Sequence, residues 1–307
     1  MDQFLQQLVN GTVLGATYGL VALGYTMVYG IVQLINFAHG EIYMLGGFGA
    51  LATYTTLVPS GTPAPLALLA MLAGGMVVSI TAGVLMERFA YRPLRGAPRL
   101  APLITALGVS IGLQEAVRNF YPNAGAAKPF PELISGRPFH LFGGVELERA
   151  SLATIVAAVI GMVALSAFIR RSRTGRAMQA TAQDPDTARL MGINIDRVIV
   201  TAFVLGAALA AVAGVASGLR FGQIDFRMGF ITGLKAFTAA VLGGIGNISG
   251  AVLGGFTLGI VEVLATQYVP GQFGGSAWKD AWAFVVLILV LVFRPSGLLG
   301  ERVAARS

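Results

Sequence analysis

Cysteine is absent from the 307 residues and charge is scarce: 11% are Asp, Glu, Lys or Arg, while 55% are hydrophobic. The missing cysteines exclude disulfides, thiolate metal sites, iron–sulfur clusters and a cysteine nucleophile. The missing charge excludes a soluble fold, because soluble domains carry about 25% charged residues and this chain has too few to cover a water-facing surface. No Asp, Glu, Lys or Arg occurs from Gln3 to Gly40 or from Ile42 to Met86. Both runs exceed the roughly 20 apolar residues that span a bilayer. A membrane β-barrel would alternate apolar and polar residues in segments of about 10, whereas Leu152 to Phe168 and Phe284 to Phe293 are apolar on every side. The expected fold is all-α, a polytopic integral membrane bundle forming a single domain over residues 1–307. No basic residue precedes the first apolar run, so that run reads as mature structure rather than a cleaved signal peptide.

Charge-poor segments fall at Leu8 to Tyr29, Ile35 to Val58, Leu66 to Met86, Leu100 to Arg118, Ser151 to Ile169, Val198 to Leu219, Met228 to Gly246, Gly250 to Tyr268 and Asp280 to Phe293. They predict eight or nine crossings, some broken or re-entrant. Pro59, Pro63 and Pro65 mark a turn at a water interface, since prolines remove backbone donors that lipid cannot replace. The net charge of +7 marks cytoplasmic loops rather than a nucleic-acid partner, because Lys and Arg of membrane proteins gather on that side. One loop carries Arg88, Arg92, Arg95 and Arg99, and another, residues 170–197, carries Arg170, Arg171, Arg173, Arg176, Arg189 and Arg197. Both are expected in the cytoplasm, with Arg294, Arg302 and Arg306 of the C-terminal tail. Residues 120–149 then lie outside as an irregular cap, with Lys128, Arg137 and Arg149 balanced by Glu132, Glu146 and Glu148. Straight counting puts Met1 outside, whereas a re-entrant turn at Asn36 to Glu41 would put it inside.

The 170–197 loop is longer than a connection needs and holds helix signals. Asp184 suits an N-cap, Pro185 the first helical position, Ala188 to Met191 continue the turn, and Gly192 suits a left-handed end. Gly175 to Gln183, which includes Arg176, predicts a second short helix, and Asp196 is positioned to cap the span beginning near Val198. Such a loop reads either as a docking surface or as an amphipathic connector lying in the headgroups.

Asn36, His39 and Glu41 interrupt two apolar runs, and a charge at the bilayer centre costs about 2.5 to 3.5 kcal/mol on insertion scales. Glu41 is expected to face protein or water, with Gly40 allowing close helix contact or unwinding. A second break is Gly243-Gly244-Ile245-Gly246-Asn247-Ile248-Ser249-Gly250. Paired glycine-interrupted segments point to a transport pathway; the alternative is that Glu41 and His39 sit at the interface or cap a helix. Gln114, Glu115, Lys235 and Glu262 read as interfacial, snorkelling or internally partnered side chains, and no residue set reads as a tight zwitterion site. Gly108-Val109-Ser110-Ile111-Gly112 matches a nucleophile elbow literally but lies in an apolar helical run, where its small residues are expected to let helices approach. None of Lys128, Lys235 and Lys279 lies in a phosphate-binding loop, so any ATP must be hydrolysed by another chain. The sequence asks for no cofactor and no metal.

Gly24-Tyr25-Thr26-Met27-Val28-Tyr29-Gly30 followed by Ile35-Asn36-Phe37-Ala38-His39-Gly40-Glu41 resembles the high-affinity branched-chain amino-acid ABC-importer permeases. The resemblance continues through Glu87 to Arg95, Arg173 to Ala177, Leu190 to Asn194 and Leu234 to Gly246, nearly the whole chain. It implies a bacterial inner-membrane, multi-pass permease for leucine, isoleucine and valine, with a second related permease, two cytoplasmic ABC ATPases and an external solute-binding protein as partners. It places ATPase coupling at Gly175, Arg176, Asp184, Pro185, Ala188 and Gly192. It places the pathway near Asn36, Phe37, His39, Gly40, Glu41, Gly243, Gly244, Gly246 and Asn247. Ser249 stands where that family often has proline, so the second break is expected to rest on glycines alone. Related permeases move urea, amides or other amino acids. The rival classes are a stand-alone ion-coupled transporter, with Glu41 and His39 as its relay, and, more distantly, a membrane enzyme using Ser110.

Overall fold

The computed structural model describes residues 1–33, 36–98, 100–141, 143–294 and 296–300; Leu34, Ile35, Arg99, Arg302 and Arg306 lie outside them. The helices are α1 (Asp2–Val32), α2 (His39–Leu57), α3 (Ala64–Met86), α4 (Leu100–Phe120), α5 (Arg149–Arg171), α6 (Arg173–Gln183), α7 (Pro185–Leu190), α8 (Ile195–Phe221), α9 (Met228–Gly243), α10 (Ile248–Tyr268) and α11 (Lys279–Phe293). A π-helical turn, Glu87–Tyr91, and a 3-10 turn, Arg92–Leu94, prolong α3. Among the described residues, seven helices are long and apolar enough to cross a membrane: α1, α3 with its extension, α4, α5, α8, α10, and α11 with the turn before it. The two remaining apolar segments, α2 and α9, are the ones the sequence marks as broken.

Among the described residues of the 120–149 cap, the strands are two residues long. β1 (Lys128–Pro129) pairs antiparallel with β4 (Gln223–Ile224), and β2 (Phe139–His140) with β3 (Glu146–Leu147).

Helix α1 runs through the middle of the bundle, its Leu20, Val21, Ala22 and Leu23 fully buried. It meets α10 along a glycine seam, Gly11, Gly15 and Gly19 against Gly255 and Gly259. A Cβ built on Gly259 would stand 2.3 Å from the Gly15 nitrogen. Lipid tails give helices no hydrophobic reason to associate, so backbone contact of this kind supplies dispersion energy instead. Around this centre α3, α4, α5 and α11 expose Val77, Ile104, Ile160 and Ile288.

Gln6 exchanges two hydrogen bonds with the Glu146 backbone, at 2.9 and 2.8 Å, so α1 begins on the face that carries the 120–149 cap, opposite the arginine-rich ends of α3 and α5. At the other end Gln33 takes the left-handed conformation (φ 53) with its N–H on the Tyr29 carbonyl, and the chain turns back into the bundle. His39, first in α2, packs against Gly24 and Gly206, about eight residues or roughly 12 Å short of the end of α1 at 1.5 Å per residue.

Candidate functional site

The re-entrant turn fills the bundle centre with polar groups. Asn36 Oδ1 accepts hydrogen bonds from the Ala38 N–H (3.1 Å) and the Tyr91 hydroxyl (2.9 Å). Tyr91 closes the π-helical turn, whose extra residue resets which side chains face inward. The buried His39 ring meets Tyr25 edge-on at 4.9 Å between centroids. Its Nε2 occupies the space a Cβ on Gly24 would need, 2.1 Å from that position. Glu41 is fully buried, and its Oε1 accepts from Ser110 Oγ (2.9 Å) and Gln114 Nε2 (3.0 Å). Its Oε2 lies beside Gly229 without a hydrogen-bond partner among the described residues. The carboxylate sits in the first turn of α2, where the helix dipole favours negative charge. Gly40 lets α2 cross α9 at Gly229 and Gly233, and the Phe37 ring contacts Phe237 at 5.4 Å.

This arrangement corrects the expectation for the Gly-x-Ser-x-Gly run. Among the described residues nothing lies within 4 Å of a Cβ built on Gly108 or Gly112, because α4 lies at the rim of the bundle, so there they bring no helices together. Ser110 is buried and donates to Glu41, and Gln114 is a second internal partner. Glu115 is exposed and pairs with Arg118 at 3.3 Å.

The second break lies at the arginine-rich face. Gly244 (φ 104) and Gly246 (φ 98) adopt conformations that favour glycine, and Asn247 Oδ1 caps α10 by accepting the Gly250 N–H at 2.9 Å. With Ser249 in place of proline, these glycines and the cap make the break. Gly243 packs against the Gly250 backbone, while the Leu298 and Leu299 N–H groups donate to the Leu242 and Gly243 carbonyls at 2.8 and 3.0 Å. Gly246 and Asn247 line a cavity of about 480 Å³ with Gly30, Arg170 and Gln179. The two breaks thus occupy different depths: Asn36 to Glu41 in the centre, Gly243 to Asn247 at one mouth.

The loop after α5 folds as its local signals require. Ser172 Oγ caps α6 by accepting the Gly175 N–H at 2.8 Å, and Gly175 lies so close to Ile169 that a Cβ would stand 2.4 Å from its carbonyl oxygen. Arg176 is exposed, with Nη1 3.5 Å from the Arg171 carbonyl. Asp184 Oδ1 caps α7, accepting the Asp186 and Thr187 N–H groups at 3.0 and 3.1 Å, with Pro185 first in the helix. Ala188 is buried beneath it, and Gly192 (φ 83) ends it. Leu190 and Met191 project from this end, 88% and 79% exposed. The cap of α8 is a correction: Asn194 Oδ1 accepts the Arg197 N–H at 3.0 Å, while Asp196 lies inside the helix and pairs with Arg92 and Arg95. Arg95 also holds the buried Glu87. A four-residue ionic cluster therefore ties the base of α8 to the end of α3.

Toward the opposite face, Lys235 Nζ lies 2.6 Å from both Glu262 Oε1 and Asp280 Oδ1, and the Tyr18 hydroxyl donates to Glu262 Oε2 at 2.9 Å. Of the roles open to Lys235 and Glu262, internal partnership is the one the fold uses. Asp280, at the start of α11, is the member sequence gave no reason to include.

Comparison with known proteins adds the following. Residues 7–291 match the family described as branched-chain amino acid transport system, permease component. Over 304 residues the chain is 48% identical to the high-affinity branched-chain amino acid transport system permease protein BraD of Pseudomonas aeruginosa, covering 97% of this chain and 96% of that one. Identity to LivH of Escherichia coli K12, which carries the same description, is 46% with the same coverage. The autoinducer 2 import system permease protein LsrC of Escherichia coli is 27% identical over 281 residues, 89% of this chain and 75% of its own.

Proposed function

From the premise that this chain belongs to the permease components of branched-chain amino acid transport systems, we propose a mechanism in which ATPase movement reaches the membrane core through α7 and α8. The chain is a membrane-spanning permease subunit of an ATP-driven importer of branched-chain amino acids, a multi-pass protein of the inner membrane. Its partners in this reading are a second related permease, two cytoplasmic ATPases and a solute-binding protein that meets the 120–149 face. The observation that carries the mechanism is the capped helix α7, which holds Leu190 and Met191 out from the arginine-rich face as an apolar knob for an ATPase groove.

Closure of the ATPases on nucleotide would displace α6 and α7 together. The turn at Gly192 leads within a few residues to α8, and the Asp196 pairs with Arg92 and Arg95 pass the same displacement to α3. Helix α8 in turn touches the re-entrant turn directly, Gly206 against His39 and Gly214 against the Tyr43 backbone. Rotation of α8 therefore shifts the start of α2, with Glu41 and its partners, relative to α9. In this proposal Asn36, Phe37, His39, Gly40 and Glu41 gate the pathway at its centre, and Gly243, Gly244, Gly246 and Asn247 shape its cytoplasmic mouth.

Deleting Asp184 to Met191 is the direct test. Loss of ATPase co-purification and of uptake is expected, and retention of both overturns the coupling role. Uptake of radiolabelled leucine, isoleucine and valine against urea and acetamide, with all partners co-expressed, tests the substrate. Uptake by this chain alone in liposomes under an ion gradient without ATP would establish the ion-coupled rival instead.

A further inference from the structure

We infer that the cavity between α1, α5, α6 and the second break is a binding site for a small carboxylate with an apolar tail, and that its occupancy brakes the transporter from the cytoplasmic side. The site stands on its own geometry, while the brake rests on the coupling reading above. The cavity has a volume of about 480 Å³, within the roughly 300–1,000 Å³ of small-molecule sites. Thr26 of α1, Arg170 of α5 and Gln179 of α6 line it, together with Ile248 and Ser249 at the start of α10. Among the described residues a Cβ on Gly30 would meet only the Gly246 Cα, at 3.6 Å, so paired glycines keep this space open. Arg170 is exposed, and the cavity opens to water beside it.

Three features of the lining select an anion. Helix α10, 21 residues long, begins at the cavity and turns its positive dipole end toward it. Asn247 takes the Gly250 N–H on Oδ1 and the Ala251 N–H on its carbonyl, which leaves the Ile248 and Ser249 N–H groups without a partner among the described residues. Thr26 is 2% exposed, and its Oγ1 likewise has no partner among the described residues. Elsewhere Thr154, Thr181 and Thr238 return the hydroxyl to the carbonyl four residues earlier, at 2.8 to 2.9 Å, so the Thr26 hydroxyl is held free at the cavity wall. Arg170 adds a full positive charge, and the described lining contains no Asp or Glu to oppose it or to hold an ammonium. A carboxylate accepts from these donors together. Met27, Ile31, Ile169 and Met178 form an apolar wall that a branched hydrocarbon covers and a hydrated phosphate does not. Imported leucine qualifies through its carboxylate and side chain, its ammonium remaining in water at the mouth. A ligand seated here touches α6 and the start of α10 at once. Displacement of α6 by the ATPases would pull those walls apart, so a bound carboxylate opposes the stroke.

The test is saturation-transfer NMR on the complete transporter in nanodiscs, without its solute-binding protein. The probe is 4-methylpentanoate, which has the carboxylate and the branched tail but no ammonium. Binding in the millimolar range is expected, competed by leucine but not by leucinamide, which lacks the carboxylate. Arg170→Gln should weaken it by about tenfold, the lower end for a hydrogen bond to a charged group, as its exposure requires. Thr26→Val should weaken it several-fold without lowering the melting temperature, and Gly30→Leu should fill the cavity and abolish it. In the same nanodiscs 4-methylpentanoate should slow ATP hydrolysis saturably in the wild type and not in Gly30→Leu. Absent binding of 4-methylpentanoate, wild-type binding in Arg170→Gln or Thr26→Val, or equal competition by leucinamide overturns the site. So does equal competition by inorganic phosphate, or binding that appears only when phosphatidylglycerol is replaced by phosphatidylcholine; these outcomes would mark free phosphate or a lipid headgroup as the occupant. Binding with unchanged hydrolysis overturns the brake. The coupling reading fails by a different result, ATPases retained after deletion of Asp184 to Met191, which leaves carboxylate binding unaffected.

Discussion

Arg92→Ala and Arg95→Ala remove two cations from the same carboxylate, Asp196, yet they should differ sharply. The Arg92 and Asp196 side chains are 44% and 46% exposed, and pairs of this kind contribute about 0.2–1 kcal/mol because water screens them. Arg95 is 23% exposed, but its second partner Glu87 is only 2% exposed. Removing Arg95 strands a buried carboxylate, and breaking such a pair costs about 3–5 kcal/mol; the partial exposure of Arg95 favours the lower end. Arg92→Ala should therefore melt within a degree or two of wild type, while Arg95→Ala falls by several degrees. Glu87→Gln placed in the Arg95→Ala background should recover most of that loss, since a neutral amide needs no cation. Thermal unfolding of the detergent-purified complex gives the stabilities, and uptake per ATP hydrolysed gives the coupling. If the cluster transmits movement from α7 to α3, Arg92→Ala lowers that ratio although its stability is intact. Equal melting shifts for the two arginine variants, or no rescue by Glu87→Gln, would refute the burial argument.

Three further outcomes follow from the geometry. Glu41→Gln keeps a side chain that can still accept from Ser110 and Gln114 while removing the buried charge, so uptake should fall with assembly unchanged in a co-purification assay; wild-type uptake would remove Glu41 from the gate. Lys235→Met leaves Glu262 and Asp280 uncompensated and should destabilise by about 3–5 kcal/mol, with much of the loss recovered by adding Glu262→Gln; additive effects in this double-mutant cycle would contradict the pairing. Gly259→Val puts side-chain atoms where the Gly15 backbone lies and should prevent folding outright, seen as loss of the monodisperse peak in size-exclusion chromatography.

Composition made the membrane bundle legible, because a shortage of charge over long runs permits little else. Helix α7 was legible from neighbours in sequence alone: Asp184, Pro185 and Gly192 act on their own backbone. Partnerships between distant segments were not. Glu41 meets Ser110 and Gln114, and Lys235 meets Asp280, only because α2 crosses α4 and α11 packs beside α9, and no periodicity encodes either event. The same limit explains the misplaced cap of α8. Asn194 takes the cap of α8, while Asp196 pairs with two arginines about a hundred residues earlier, a partnership that lies outside the local sequence. Ser110 misled in the opposite way, its flanking glycines suggesting contact where α4 in fact faces outward.

The glycine seam between α1 and α10 also sets a timetable for making the protein. Helix α1 leaves the ribosome first, yet the surface that covers Gly11, Gly15 and Gly19 belongs to a helix beginning at Ile248, about 216 residues after Val32. At roughly 5–20 residues per second, that interval is about ten to forty seconds. Throughout it α1 must remain in the bilayer with its small-residue face and the Thr17 and Thr26 hydroxyls turned toward lipid, the translocon or a chaperone. The helix at the heart of the finished bundle is thus the one that waits longest for its main partner, and a truncation before Ile248 would expose it to membrane proteases.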